Sequence, residues 1–141
     1  MKVSIDDYIS IFIHKTDLTL TSYVKNKLAP FNLAPEQNLI MMLLWEKDGI
    51  TQNEIADRLF KDKTNVARMV SNLENKGFIK RIISQSDRRS LQLHLTDKGK
   101  ELGATITPIT EDFNKLVCQG ISKEEICELK RILTKMRDNV L

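Results

Sequence analysis

Between Ile50 and Leu95 the chain reads ITQNEIADRLFKDKTNVARMVSNLENKGFIKRIISQSDRRSLQLHL, and every boundary of a helix, turn, helix, hairpin series is marked in it. Thr51 and Glu54 have the spacing of a capping box, with Ile50 and Ile55 at the staple positions around it. A helix of about two turns therefore starts near Gln52 and carries Ile55, Ala56 and Leu59 on one face. Asp62 supplies a second N-cap oxygen, and from Lys63 onward Val66, Met69, Val70 and Leu73 recur at i, i+3, i+4, i+7, the period of an amphipathic helix. Gly77 can take the left-handed position that ends this helix, with Phe78 placed to close on Leu73. Two segments of strand composition follow, Phe78 to Ser84 and Leu91 to Leu95. They flank a short turn tipped by Arg88 and Arg89.

Burying the 66/69/70/73 face turns Thr64, Arg68, Ser71 and Asn75 outward, with Asn65 and Asn72 on the flanks. A solvated helix face usually carries Glu and Lys. This one carries short hydroxyl and amide groups around one Arg, the types that fit base edges and phosphates. A hairpin tipped with guanidinium groups suits the narrow, electronegative minor groove. Asp87, two residues from Arg89, is expected to anchor that side chain in one geometry. Residues 60–100 hold ten basic and four acidic side chains, net +6, while the whole chain is only +3. The remainder is thus −3, and positive charge concentrates where the reading elements lie. The expected DNA contacts are Thr51, Gln52, Lys63, Thr64, Asn65, Arg68, Ser71, Asn72, Asn75, Arg81, Arg88 and Arg89, on double-stranded DNA.

The order of these elements, the Asp87-Arg88-Arg89 tip and the run Leu95-Thr96-Asp97-Lys98-Gly99 resemble the MarR family of bacterial transcription regulators. The similarity extends over almost the whole chain, and its most specific piece runs from Asp87 to Gly99. The resemblance implies a homodimer of winged helix-turn-helix protomers on a pseudo-palindromic operator, with Lys63 to Asn75 in the major groove and Arg88 and Arg89 in the minor groove. Phe60 departs from the pattern, because such motifs often carry Gly at the start of this turn.

The flanks are read as follows. Apolar residues from Ile5 to Leu28 fall in steps of three and four, predicting one long helix closed by Pro30; Pro35 opens a second, buried helix that ends by Gly49. Beyond the wing, Thr96 caps a helix with heptad-like spacing through Leu102, Ile106, Ile109, Phe113 and Leu116, bent but not ended by Pro108. Ser122 and Glu125 start a last amphipathic helix. The fold expected is mainly α with a small β-hairpin wing: a single unit over residues 1–141, with a winged core at about 33–98 and dimerisation helices at about 3–30 and 99–141. Three striped helices exceed what one small winged domain can cover, which points to a two-fold dimer.

No apolar run approaches the length of a membrane span, and the first residues lack the pattern of a secretion signal, so a cytoplasmic protein is expected. Two histidines, His14 and His94, are too few for a regulatory zinc site; His94 is expected to be exposed on the wing strand. Cys118 and Cys127 are read as buried thiols, with redox sensing through them the alternative mode of control. No nucleophile, base and orienter set supports an enzyme, and no cofactor is expected. A winged-helix interaction or architectural module is the competing class, disfavoured by the arginine pair. For regulation, the resemblance implies a small aromatic or anionic ligand near the junction of core and flanking helices, with Phe12, His14, Met41 and Trp45 as its expected lining.

Overall fold

The structure, a computed structural model, describes residues 3–87 and 89–141; Arg88, expected at the wing tip, falls outside the described residues. The chain divides into two compact units, Met1–Ile109 and Thr110–Leu141. In the first unit, a 3-10 turn at Ile5–Asp7 precedes α1 (Ile9–Leu28), α2 (Pro35–Glu46), α3 (Gln52–Leu59), α4 (Lys63–Asn75), β1 (Ile79–Ile83), β2 (Leu91–Leu95) and the start of α5 (Asp97–Val117). The second unit holds the end of α5 and α6 (Lys123–Val140).

The first helix is not the single long one that the periodicity predicted from Ile5 to Leu28. Ser4 and Asp7 form a capping box that closes the 3-10 turn, Tyr8 is extended at φ −93 and ψ 116, and its carbonyl then accepts from Ile11 and Phe12 to start α1. At the other end α1 stops at Leu28, and Pro30 lies in a 3-10 turn that leads to left-handed Asn32. Pro35 starts α2 with its missing N–H at a position needing no partner, and Gln37 Oε1 accepts from Ala34 N at 3.1 Å.

The helix boundaries in the central stretch agree with the sequence. Thr51 Oγ1 accepts from Glu54 N at 3.1 Å, and Asp62 Oδ1 from Asn65 N at 2.8 Å. The capping box at Thr51 is incomplete, however: Glu54 Oε1 accepts from the Thr51 hydroxyl at 3.3 Å rather than from its N–H. Phe60 occupies a left-handed conformation (φ 54), the one the turn demands and a β-carbon resists by about 1–2 kcal/mol. The motif keeps its turn and carries that cost. After α4, Phe78 N reaches Leu73 O at 3.1 Å and Gly77 N reaches Glu74 O at 2.9 Å, a Schellman closure with Gly77 at φ 83.

β1 and β2 pair antiparallel with Ile79 opposite Leu95 and Ile83 opposite Leu91. A third segment adds to β2: Gly49 N donates to Leu93 O, Leu93 N donates to Ile50 O, and Thr51 bridges Gln92. His94 is consequently half-buried, its ring against Gly49 and its Nε2 3.4 Å from Gln92 Oε1, which corrects the expectation of an exposed wing histidine. The core joins Leu28 of α1, Ile40, Met41 and Leu44 of α2, Ile55 of α3, Val66, Val70 and Leu73 of α4, Ile79 and Leu93 of the hairpin, and Ile106 of α5. Each such side chain contributes about 1.5–3 kcal/mol by leaving water.

Much of α1 stays outside this core, with Ile5, Tyr8, Ile9, Phe12 and Ile13 exposed along its N-terminal face and turn. In the second unit, Gly120 turns the chain at φ 77, and Ser122 and Glu125 complete the capping box expected of them. α6 has no buried residue, and Leu129 and Ile132 are exposed. Cys118 is half-buried and Cys127 exposed, not the buried pair expected, because the face that carries them is uncovered in the single chain. Among the described residues no helix is long and apolar enough to cross a membrane.

Candidate nucleic-acid interface

α4 presents its polar face as the period predicts, except that Ser71, expected outward, is half-buried and Asn72, expected on the flank, is exposed. Lys63, Thr64, Arg68, Asn72 and Asn75 are exposed, and Asn65 and Ser71 are half-buried. Arg68 Nη2 donates to Asn65 Oδ1, so the guanidinium is held along the helix surface before any ligand arrives. At the start of α3, Thr51 and Gln52 are half-buried, and Gln52 Oε1 is a buried acceptor without a partner. The N-terminus of α4 is capped by the Asp62 carboxylate, which accepts from Asn65 N beside exposed Lys63.

The helix is tied down at its other end by lysines that donate to neutral oxygens. Lys76 Nζ donates to Asn32 O and to Gln37 Oε1, both at 2.8 Å, and burial lowers its pKa from the ordinary lysine range. Lys98 Nζ donates to Lys76 O at 2.9 Å and lies 5.0 Å from the centre of the Phe78 ring. Positive charge at the C-terminal carbonyls of a helix is favourable, and these two lysines bind α4 to the corner before α2 and to the first turn of α5.

At the wing the expected anchor works through a different atom. The Asp87 carboxylate accepts from Arg89 N at 2.9 Å and from Ser90 Oγ at 3.1 Å, closing a turn on the backbone instead of the expected contact with the Arg89 guanidinium. A side chain two residues back reaches that N–H with less loss of rotamer freedom than it would spend on a long, mobile arginine. Buried Ser84 supports the same turn: its N donates to Ser90 O, and its hydroxyl accepts from Asp87 N. Arg89 is left exposed at the tip. Arg81 is the expected contact whose side chain points elsewhere. Its Nη2 donates to Ala67 O at 3.0 Å and to Ser71 Oγ, both on α4.

Of the expected ligand lining, Trp45 borders an open hollow. This hollow of about 530 Å³ is lined by Trp45, Leu95, Lys100, Gly103, Ala104, Thr107 and Pro108. Met41 is fully buried in the core, and Phe12 and His14 lie exposed on α1, so none of these three lines it. Trp45 Nε1 donates to Gly99 O at 2.9 Å, and a β-carbon at Gly103 would stand 2.7 Å from that same nitrogen. The glycine pair four residues apart on a striped helix was a legible sign of close approach, although not of what approaches.

The description "MarR family" belongs to the family model that matches residues 33–91, from the corner before α2 to the start of β2. The transcriptional regulator MgrA of Staphylococcus aureus is 28% identical over 127 residues, covering 88% of this chain and 84% of its own. Among solved structures, the transcriptional regulator SlyA superposes with a TM-score of 0.83 at 31% identity, covering 94% of this chain and 93% of that one. A complex of S. aureus MepR with DNA superposes with a TM-score of 0.87 at 27% identity, over 98% of this chain and all of that one (100%).

Proposed function

Because the chain belongs to the MarR family, it is a DNA-binding regulator of transcription, and we propose that it acts as a homodimeric repressor released by a small aromatic or anionic ligand. One observation carries the DNA side of this reading. The exposed polar face of α4 and the Arg89 tip of the wing belong to one packed motif, with net positive charge concentrated on it. In this reading Lys63, Thr64, Asn65, Arg68, Ser71, Asn72 and Asn75 meet the major groove, Thr51 and Gln52 meet phosphates, and Arg88 and Arg89 meet the minor groove. Catalysis has no part in it.

A second copy of the chain is the proposed cover for the exposed apolar stripe of α1 and for the uncovered face of α6, and two-fold symmetry matches a pseudo-palindromic operator. The ligand is assigned to the hollow beside Trp45, where an indole wall, a nearby Lys100 ammonium and a Thr107 hydroxyl suit a flat molecule with an anionic edge. An inducer can shift the equilibrium only through its differential affinity, so DNA must weaken ligand binding by the same factor as ligand weakens DNA binding.

Footprinting on the DNA adjoining its own gene tests the reading. A dimer is expected to protect two half-sites about 34–36 Å apart, and salicylate is expected to weaken the complex while perturbing Trp45 fluorescence. A monomer at micromolar concentration, or a complex with the same affinity for any sequence, would contradict it.

A further inference from the structure

Arg81 stands on the inner side of the wing. Along β1 Ile79 is buried and Arg81 half-buried, while Lys80, Ile82 and Ile83 are exposed. An arginine placed for phosphate belongs at the exposed positions. Instead the Arg81 side chain runs back onto α4, where Nη2 donates to Ala67 O at 3.0 Å and to Ser71 Oγ, and its Nε is buried without a partner. Its own N–H donates to Glu74 Oε2 at 3.2 Å, a further link to α4 along the outer edge of the hairpin. Residues 67, 71 and 74 follow one line along the helix at steps of four and three, so a single strand residue engages about two turns of α4.

This geometry asks for a guanidinium. Both bonds leave one nitrogen, Nη2, whose two protons are fixed in the plane of the group, whereas an ammonium is a point donor on a flexible stem. The consequence concerns recognition. α4 and the wing tip are assigned to different grooves, and beyond Gln92, where the Gly49–Thr51 segment stops pairing with β2, the hairpin has only two strands, by themselves marginally stable, so the distance between the two reading elements needs an internal tie. Arg81 supplies it.

We infer that Arg81 is a positioning residue that braces the wing on the recognition helix, setting operator specificity without contributing a phosphate contact; this rests on the DNA-binding assignment of α4 and the wing. The brace makes α4 and Arg89 approach DNA as one body, so its loss penalises the sequence that uses both elements and leaves the general attraction for phosphate in place.

The test compares the wild type with Arg81→Lys and Arg81→Gln, titrated across a range of salt against operator and against unrelated duplex. Operator affinity is expected to fall by roughly 10- to 100-fold, the scale of one or two charge-assisted hydrogen bonds, with an unchanged slope of log affinity against log salt. Affinity for unrelated duplex is expected to stay within about threefold, since the phosphate contacts remain. The amides of Ile83 and Leu91 are expected to exchange faster in the DNA-free variants. A slope reduced by about one unit, with both duplexes weakened equally, makes Arg81 a phosphate contact and overturns the inference, as does an unchanged operator affinity. Wild-type protein without DNA provides a reading that needs no substitution. Slow rotation and solvent protection of the Arg81 Nη2 protons support the brace, and an averaged, fast-exchanging guanidinium overturns it. Wild-type operator binding tests the DNA-binding assignment separately.

Discussion

Gly103→Ala probes the joint between α2 and α5 with a single carbon. The added Cβ would stand 2.7 Å from Trp45 Nε1, 2.9 Å from Cδ1 and 3.0 Å from Cε2, too close for all three, so the indole must move. Moving it disturbs the hydrogen bond from Nε1 to Gly99 O. Replacing glycine by alanine inside a helix gains about 1 kcal/mol, losing the indole bond costs about 0.5–1.5, and overpacking costs about 1–3. The net expectation is a loss of about 0.5–3.5 kcal/mol. At a slope of about 2 kcal/mol per M urea, that lowers the unfolding midpoint by roughly 0.3–1.8 M. The assay is urea unfolding by circular dichroism at one fixed protein concentration, read beside the emission of Trp45, the sequence's one tryptophan. Emission is expected to shift to the red as the ring leaves its seat. Gly99→Ala calibrates the scale: its Cβ would lie 2.1 Å from the backbone oxygen of Phe78, which cannot swing aside, so the loss should exceed that of Gly103→Ala. A Gly103→Ala midpoint equal to or above wild type, with unchanged emission, would refute the seat described for Trp45.

Arg89→Ala is expected to weaken operator binding by about 1–3 kcal/mol with fold and dimer intact, checked by anisotropy titration and sedimentation. Asp87→Ala removes the acceptor for Arg89 N and Ser90 Oγ and should reduce operator affinity by loosening the tip, seen as faster amide exchange at Arg89 and Ser90 in free protein. Leu73→Ala empties a fully buried site and should cost about 2–5 kcal/mol by urea unfolding. Phe60→Gly relieves the left-handed strain at φ 54 and, after the entropy glycine loses on folding, should stabilise by about 0.5–1 kcal/mol in the same measurement.

The reading elements were legible because their signals are local. A hydroxyl or carboxylate three residues before a helical N–H, a glycine at a left-handed closure and apolar residues at a fixed period act within one or two turns of chain. Thr51, Asp62, Gly77, Thr96 and Ser122 therefore mark their boundaries in the sequence itself. The outward face of α4 followed from the same period. Tertiary structure decided what depends on a neighbour distant in sequence. Trp45 meets a carbonyl 54 residues away, Lys76 reaches Asn32 across 44, and His94 is covered by the segment around Gly49. Arg81 shows the limit most clearly: composition placed it among the DNA contacts, and alternation could not say which face of β1 would meet α4. A long cationic side chain can reach outward to phosphate or inward to a helix carbonyl. Only the packing of hairpin on helix brought Ala67 O and Ser71 Oγ within its reach.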